Sequence, residues 1–171
     1  VMAYSNKFGH MVVTNGNKSE LSVGYSTLYG DMCGGFSVVK DIYKSDLYKL
    51  SEWRNINLPS FSAIKAKEVI PKNIITKEPT AELKEDQKDS DSLPPYDVLD
   101  KILYLLVEKE SSINEIISKG YEPSLVTKVQ NLLYNSEYKR RQAAPGVKIS
   151  ERNFGYDRRY PITNAFRDKE K

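Results

Sequence analysis

The chain has few of the residues that build metal centres and disulfides. Its 171 residues include one cysteine, Cys33, and one histidine, His10. A single cysteine excludes an internal disulfide, and this pair is too few for a zinc cluster. Cys33 is interpreted as a small buried or loop thiol, because no second histidine is present to orient and activate it as a nucleophile.

Long apolar runs are also missing. No stretch approaches the roughly 20 apolar residues needed to cross a bilayer, and residues 1–7 do not resemble a signal peptide. The composition, 39% apolar and 29% charged, is that of one soluble globular domain. We therefore expect a cytoplasmic protein with no membrane partner.

Charge is distributed unevenly along the chain. Residues 139–171 contain ten Lys and Arg against four Asp and Glu, a balance of +6, so the total of +3 leaves −3 for the rest. Within this basic segment, Lys139 and its two following arginines, and the Arg158–Arg159 pair, are framed by Pro and Gly. Such a segment predicts an anionic partner. The residue types alone do not choose between nucleic acid and a nucleotide.

The first half of the chain has the pattern of an α/β fold. Residues 3–8 are predicted to end a helix at Gly9, which suggests that an upstream part of the domain is missing. Residues 10–14 form an apolar, β-branched run typical of a buried strand in a parallel sheet, and Ser19 is predicted to open a helix through Val23. Ligands of such sheets bind at the carboxyl ends of strands, so we expect a site at residues 14–20.

The second half is predicted to be helical. A helix over 45–55 has Ser45 as its expected N-cap. An acidic surface loop covers 78–95, and it is interpreted either as a solvated linker or as a lid over a nucleotide site. Three helices follow, beginning near Pro95, at Ser112 and at Pro123, and we expect them to pack on the sheet. No internal repeat is present.

The loop at 14–20, with sequence Thr-Asn-Gly-Asn-Lys-Ser-Glu, combines a glycine, a lysine and a carboxylate at a strand-to-helix junction. Backbone N–H groups at a helix start favour phosphate, and a carboxylate there could hold Mg²⁺. The same pattern also occurs in ordinary connections.

Five motifs together resemble the carboxy-terminal part of the glutamine-dependent NAD⁺ synthetase family. They are the runs at 14–20, 23–31, 79–83, 93–100 and 139–164. The resemblance implies a fold of the N-type ATP pyrophosphatase kind, a parallel sheet flanked by helices. It also implies an ATP- and Mg²⁺-dependent ligase that adenylates deamido-NAD⁺ and lets ammonia, released from glutamine by a separate domain, displace AMP to give NAD⁺.

The resemblance also implies roles for particular residues. Glu20 matches the family's deamido-NAD⁺ and metal position, and Tyr138 and Lys139 match its deamido-NAD⁺ site. The ATP positions are matched by Asn15, Lys44 and Thr80. Two residues depart from the family pattern: Asn15 replaces a threonine, and Tyr156 stands where relatives often carry a basic residue.

The family's Ser-Gly-Gly-x-Asp-Ser pyrophosphate loop and its glutaminase domain have no counterpart in residues 1–171. The resemblance therefore predicts a carboxy-terminal portion of one synthetase domain, complemented by an upstream segment and oligomeric in the complete enzyme. The alternative hypotheses are a non-catalytic remnant that retains dinucleotide binding and, from the basic end alone, a nucleic-acid-binding protein.

Overall fold

The computed structural model describes residues 1–77, 79 and 92–169. Over these residues the chain forms eight helices and two short strands, with no helix long and apolar enough to cross a membrane. The elements are α1 (Met2–Phe8), β1 (Val13–Thr14), α2 (Lys18–Val23), β2 (Phe36–Ser37), α3 (Lys44–Ile56), α4 (Lys72–Thr76), α5 (Tyr96–Val107), α6 (Ile113–Ser118), α7 (Pro123–Asn135) and α8 (Glu137–Arg140).

The predicted parallel sheet is confirmed, but it is small. β1 pairs in parallel with β2, with Val13 opposite Phe36, and the predicted strand at 10–14 is reduced to its last two residues. The basic C-terminal segment extends this arrangement, because Ser37 forms a parallel bridge with Gly146 and its N–H donates to the carbonyl of Pro145 at 2.8 Å. A Cβ at position 146 would lie 2.3 Å from the carbonyl oxygen of Ser37, so only glycine allows this approach.

Several helix boundaries follow the local sequence signals. α1 ends at Gly9, which adopts a left-handed φ of 69°. α6 begins with the predicted capping box, in which Ser112 and Glu115 each bond the other's backbone N–H. α7 begins at Pro123, whose missing N–H has no role at that position.

Two predicted helix starts, at Ser19 for α2 and with Ser45 as the N-cap of α3, are wrong. Asn17, not Ser19, caps α2, because its side chain accepts from the N–H of Glu20 while the Glu20 carboxylate accepts from the N–H of Asn17. α3 begins at Lys44, after Tyr43, and Ser45 lies inside the first turn. The predicted apolar face of α3 is also not buried, since Leu50 and Trp53 are about half exposed.

The core lies between helices, and the expectation that the last helices pack on the sheet is wrong. Within the part of the chain that the structure describes, α7 packs against both α5 and α6, and α5 and α7 also contact α2. Two-residue strands offer too little apolar surface to support three helices. The fully buried side chains of this core include Leu99, Ile102, Leu103, Val107, Ile113, Ile116, Val126 and Val129.

Position 24, where α2 meets α8, is expected to require glycine for full stability of the fold. It has a φ of 71°, and a Cβ there would lie 2.3 Å from Ser136 Oγ. Gly24→Ala should therefore cost about 1–2 kcal/mol of backbone strain and a further 1–3 kcal/mol of overpacking. Urea denaturation of the variant measures this loss.

Gly120→Ala is the matched control for this prediction. Gly120 also has positive φ, 92°, but a Cβ there would meet nothing within 4 Å. Gly120→Ala should therefore lose only the about 1–2 kcal/mol of stability that backbone strain costs. Equal losses of stability in the two variants would show that the Ser136 contact is unimportant.

Candidate functional site

The loop between β1 and α2 is built around the buried side chain of Lys18, which is completely inaccessible to solvent. Its ammonium contacts the carboxylates of Asp41, at 3.0 Å, and Glu108. It also donates to Ser150 Oγ at 2.5 Å and to the carbonyl of Arg152 at 2.8 Å. Four distant parts of the chain therefore meet at one cation.

The two carboxylates extend this network into the C-terminal segment. Asp41 accepts hydrogen bonds from the N–H groups of Ile149 and Ser150, both at 2.7 Å, and Glu108 accepts one from the N–H of Arg152. Burial alone would raise the pKa of Asp41, but the bonds from Ile149, Ser150 and Lys18 outweigh it and leave that pKa lowered. Asp41 is thus held as a carboxylate that organises residues 148–152.

Glu20 and Lys44 are in direct contact, although the family resemblance assigns them to different ligands. Lys44 Nζ donates to Glu20 Oε1 at 2.9 Å, and the two side chains are 19% and 17% exposed. The other oxygen, Oε2, accepts from the N–H of Asn17 at 3.2 Å. The ammonium also faces the rings of Tyr48 and Tyr96, at 6.0 and 5.5 Å from their centroids. A paired carboxylate and cation therefore reach solvent together beside the strand end.

Two backbone N–H groups at the start of α2 already have hydrogen-bond acceptors within the protein. The N–H of Lys18 donates to the carbonyl of Ile42 at 2.9 Å, and the N–H of Glu20 to Asn17 Oδ1 at 3.0 Å. Neither amide is available to a phosphate in this arrangement. Asn15 precedes the helix and is exposed, so its amide side chain can meet a ligand from solvent.

Lys139 lies at the other end of α2. Its Nζ donates to the carbonyls of Gly24 and Ser26, each at 2.7 Å, and an ammonium has three N–H groups. The side chain is therefore fixed by two bonds, with one donor left for a ligand. The neighbouring Tyr138 is 41% exposed.

Two other cations of the basic segment have structural roles that the charge count did not reveal. Arg140 is buried, donates to the carbonyls of Leu21 and Ser22, and pairs with Glu137 at 2.8 Å. Burial lowers the pKa of Arg140 to about 10, although Glu137 acts in the opposite direction. Arg158 is buried too, 4.0 Å from the ring centroid of its neighbour Tyr160. These two arginines are used within the fold.

Glu20 is the candidate for the Mg²⁺ position implied by the resemblance. Over residues 1–77, 79 and 92–169 no group of three His, Cys, Asp or Glu side chains is arranged to hold a metal ion. Mg²⁺ is commonly held by one or two carboxylates together with substrate phosphates, and Glu20 offers one carboxylate oxygen if Lys44 moves aside. The residues therefore fit a shared metal and substrate site rather than an all-protein one.

One predicted site residue, Thr80, and most of the acidic loop at 78–95 lie outside the residues that the structure describes. Of the others, Glu20 and Lys44 are brought into contact. Lys139 lies on α8, and its ammonium reaches the C-terminal end of α2 at Gly24, whereas Asn15 lies just before that helix. Sequence reasoning missed Lys18, Asp41 and Glu108. A lysine flanked by polar residues gives no signal of burial, since its partners come from elsewhere in the chain.

Comparison with solved structures first defines the class of fold. The chain matches the crystal structure of a glutamine-dependent NAD⁺ synthetase from Cytophaga hutchinsonii with a TM-score of 0.71 and 21% sequence identity, over 96% of this chain and 26% of that one. The helices around a small parallel sheet thus have the fold of the corresponding part of that structure.

Sequence similarity then identifies the family of the chain. A model of the NAD synthase family matches residues 1–143, and the chain belongs to this family. Two similar relatives, both glutamine-dependent NAD⁺ synthetases, come from Thermotoga maritima and Xylella fastidiosa. They are 52% and 53% identical to it over 98% of its length. The chain spans 28% and 29% of these two relatives.

Removing the buried cation should unfold much of this arrangement. Lys18→Met retains the length of the side chain but leaves Asp41 and Glu108 buried without their shared cation. We expect a loss of about 3–5 kcal/mol in the free energy of unfolding, measured by urea denaturation.

Lys49→Met is the control. Lys49 pairs with Asp46 at 2.9 Å, but both side chains are largely exposed, so its removal should change stability little. A similarly small effect at Lys18 would contradict the importance of the buried cluster.

Proposed function

We propose that this chain forms the carboxy-terminal part of an ATP-dependent ligase that converts deamido-NAD⁺ to NAD⁺. Membership of the NAD synthase family and relatives at 52–53% identity support the reaction class. The observation that carries the proposal is the 2.9 Å contact between Glu20 and Lys44. These residues were assigned to deamido-NAD⁺ and to ATP, and such neighbours would hold two reactants side by side.

The reaction has two steps. The nicotinate carboxylate of deamido-NAD⁺ attacks the α-phosphorus of ATP, and the bond to pyrophosphate breaks to give an acyl-adenylate. Ammonia then attacks the acyl carbon, the bond to AMP breaks, and a proton is lost as the amide of NAD⁺ forms. Adenylation is required because a carboxylate is otherwise a poor acyl donor.

The chain contributes charge and position to this chemistry. In this proposal the Lys44 ammonium binds phosphate oxygens of ATP, and its contact with Glu20 orients it before the ligand arrives. The third N–H of Lys139 would donate to deamido-NAD⁺ from a side chain already fixed by two backbone carbonyls. Bound Mg²⁺, held in part by Glu20, would neutralise charge on the phosphates.

Other parts of the site are proposed to come from the rest of the protein. The relatives extend well beyond the matched region, so the pyrophosphate loop and the ammonia-producing domain belong in our proposal to an upstream segment. We propose also that the complete enzyme is cytoplasmic and oligomeric, and that its ligands are nucleotides rather than nucleic acid.

The test is NAD⁺ formation from ATP, Mg²⁺, deamido-NAD⁺ and ammonium. The chain is assayed alone and together with a separately expressed upstream segment of the Thermotoga maritima relative, ammonium replacing glutamine. We expect activity only in the mixture. Lys139→Ala should reduce kcat/KM for deamido-NAD⁺ about tenfold to a hundredfold, because it removes a charged hydrogen bond.

Lys119→Ala, which changes an exposed lysine at the C-terminal end of α6, is the control and should leave the rate unchanged. Absence of NAD⁺ in every mixture would contradict the ligase proposal. Saturable binding of deamido-NAD⁺ without turnover would favour the alternative of a non-catalytic remnant.

A further inference from the structure

Asp100 on α5 is a buried carboxylate that forms hydrogen bonds with α2 and α3, the helices that carry Glu20 and Lys44. It is 5% exposed, and both of its oxygens accept hydrogen bonds. Ser19 Oγ donates to Oδ1 at 2.5 Å, and the N–H of Ser45 donates to Oδ2 at 2.8 Å. Burial raises the pKa of Asp100. Keeping this side chain ionised therefore costs free energy.

Asp100 and Ser19 together replace the missing cap of α3. Tyr43, the residue before this helix, makes no side-chain cap bond. Instead the N–H of Lys44 donates to Ser19 Oγ at 2.8 Å, and the N–H of Ser45 donates to Asp100. Free N–H groups and the helix dipole make this terminus favourable for a negative charge. Two residues from other helices therefore determine where α3 starts.

The same bonds link Asp100 to the ion pair at the surface. Ser19 is followed by Glu20 on α2, and Lys44 is the first residue of α3. The chain of contacts runs from Asp100 through Ser19 Oγ to the Lys44 backbone, while the Lys44 side chain meets Glu20 at 2.9 Å. A shift of the α3 start relative to α2 would separate Lys44 Nζ from Glu20 Oε1.

We propose that Asp100 is a positioning residue, which sets the distance between Lys44 and Glu20 by clamping the start of α3 to α2 through Ser19. Its contribution to activity rests on the proposed function, but its effect on the ion pair does not. A carboxylate suits this position because it accepts from a hydroxyl and an amide at once. An asparagine has only one acceptor oxygen.

The first test measures the coupling between Glu20 and Lys44 in the chain alone. Unfolding midpoints are compared for Glu20→Gln, Lys44→Met and the double variant, in the wild-type background and in Asp100→Asn. We expect the two effects to be coupled in the wild type and independent in Asp100→Asn. Coupling that persists in Asp100→Asn would overturn the proposal.

Ile102→Val, a conservative change in the buried part of α5, is the control background. It should reduce stability but retain the coupling, which separates positioning from general destabilisation. If Asp100→Asn does not fold, Ser19→Ala breaks the same link from the other side and serves in its place.

The second test uses the NAD⁺-forming mixture. Asp100→Asn should lower kcat/KM for ATP about tenfold to a hundredfold, the loss expected for a hydrogen bond to a charged group. In a Lys44→Met background the same substitution should have little further effect. Equal losses in both backgrounds would contradict action through Lys44. Failure of the wild-type mixture to form NAD⁺ would contradict the ligase proposal, whereas the stability cycle would still decide the role of Asp100.

Discussion

The buried ammonium of Lys18 is the interaction on which the rest of this structure depends. It satisfies two carboxylates, a hydroxyl and a backbone carbonyl in a space closed to water. The rings of Tyr43 and Phe154 lie 5.1 and 5.6 Å from it and complete the enclosure. A cluster of this kind adds little net stability over an apolar one, but it tolerates few alternative arrangements. It fixes the relative positions of α2, α5 and the C-terminal loop, and these in turn place Glu20, Lys44 and Lys139.

The basic C-terminal segment illustrates how charge can serve the fold. Its arginines suggested an anionic ligand, yet Arg140 and Arg158 are buried and make contacts within the chain. Arg140 reaches the last turn of α2 through backbone carbonyls, a role for which a planar group with five donors is suited. Lys139, Lys44 and Glu20 are only partly buried and remain the candidates for ligand contact.

The signals that predicted the structure correctly act over short distances. The glycine that ends α1, the Ser112–Glu115 box and Pro123 depend on residues within one helical turn, so sequence reveals them. The start of α3 is different, because its caps, Ser19 and Asp100, come from other helices. The burial of Lys18 was unpredictable for the same reason, because its partners also come from distant parts of the chain. The resemblance assigned Glu20 and Lys44 separately, but their contact required the packing of α2 against α3.

The partners of Lys18 also determine when the fold can close. Its bond to the Arg152 carbonyl joins residues 134 positions apart, and its bond to Ser150 joins residues 132 positions apart. Contacts of such long sequence separation form late, because a large loop must be closed before they are gained. On the ribosome, the first half of this chain would emerge with Lys18 and Asp41 still lacking part of their cluster. The buried cluster around Lys18 would be complete only after almost the whole sequence had been synthesised.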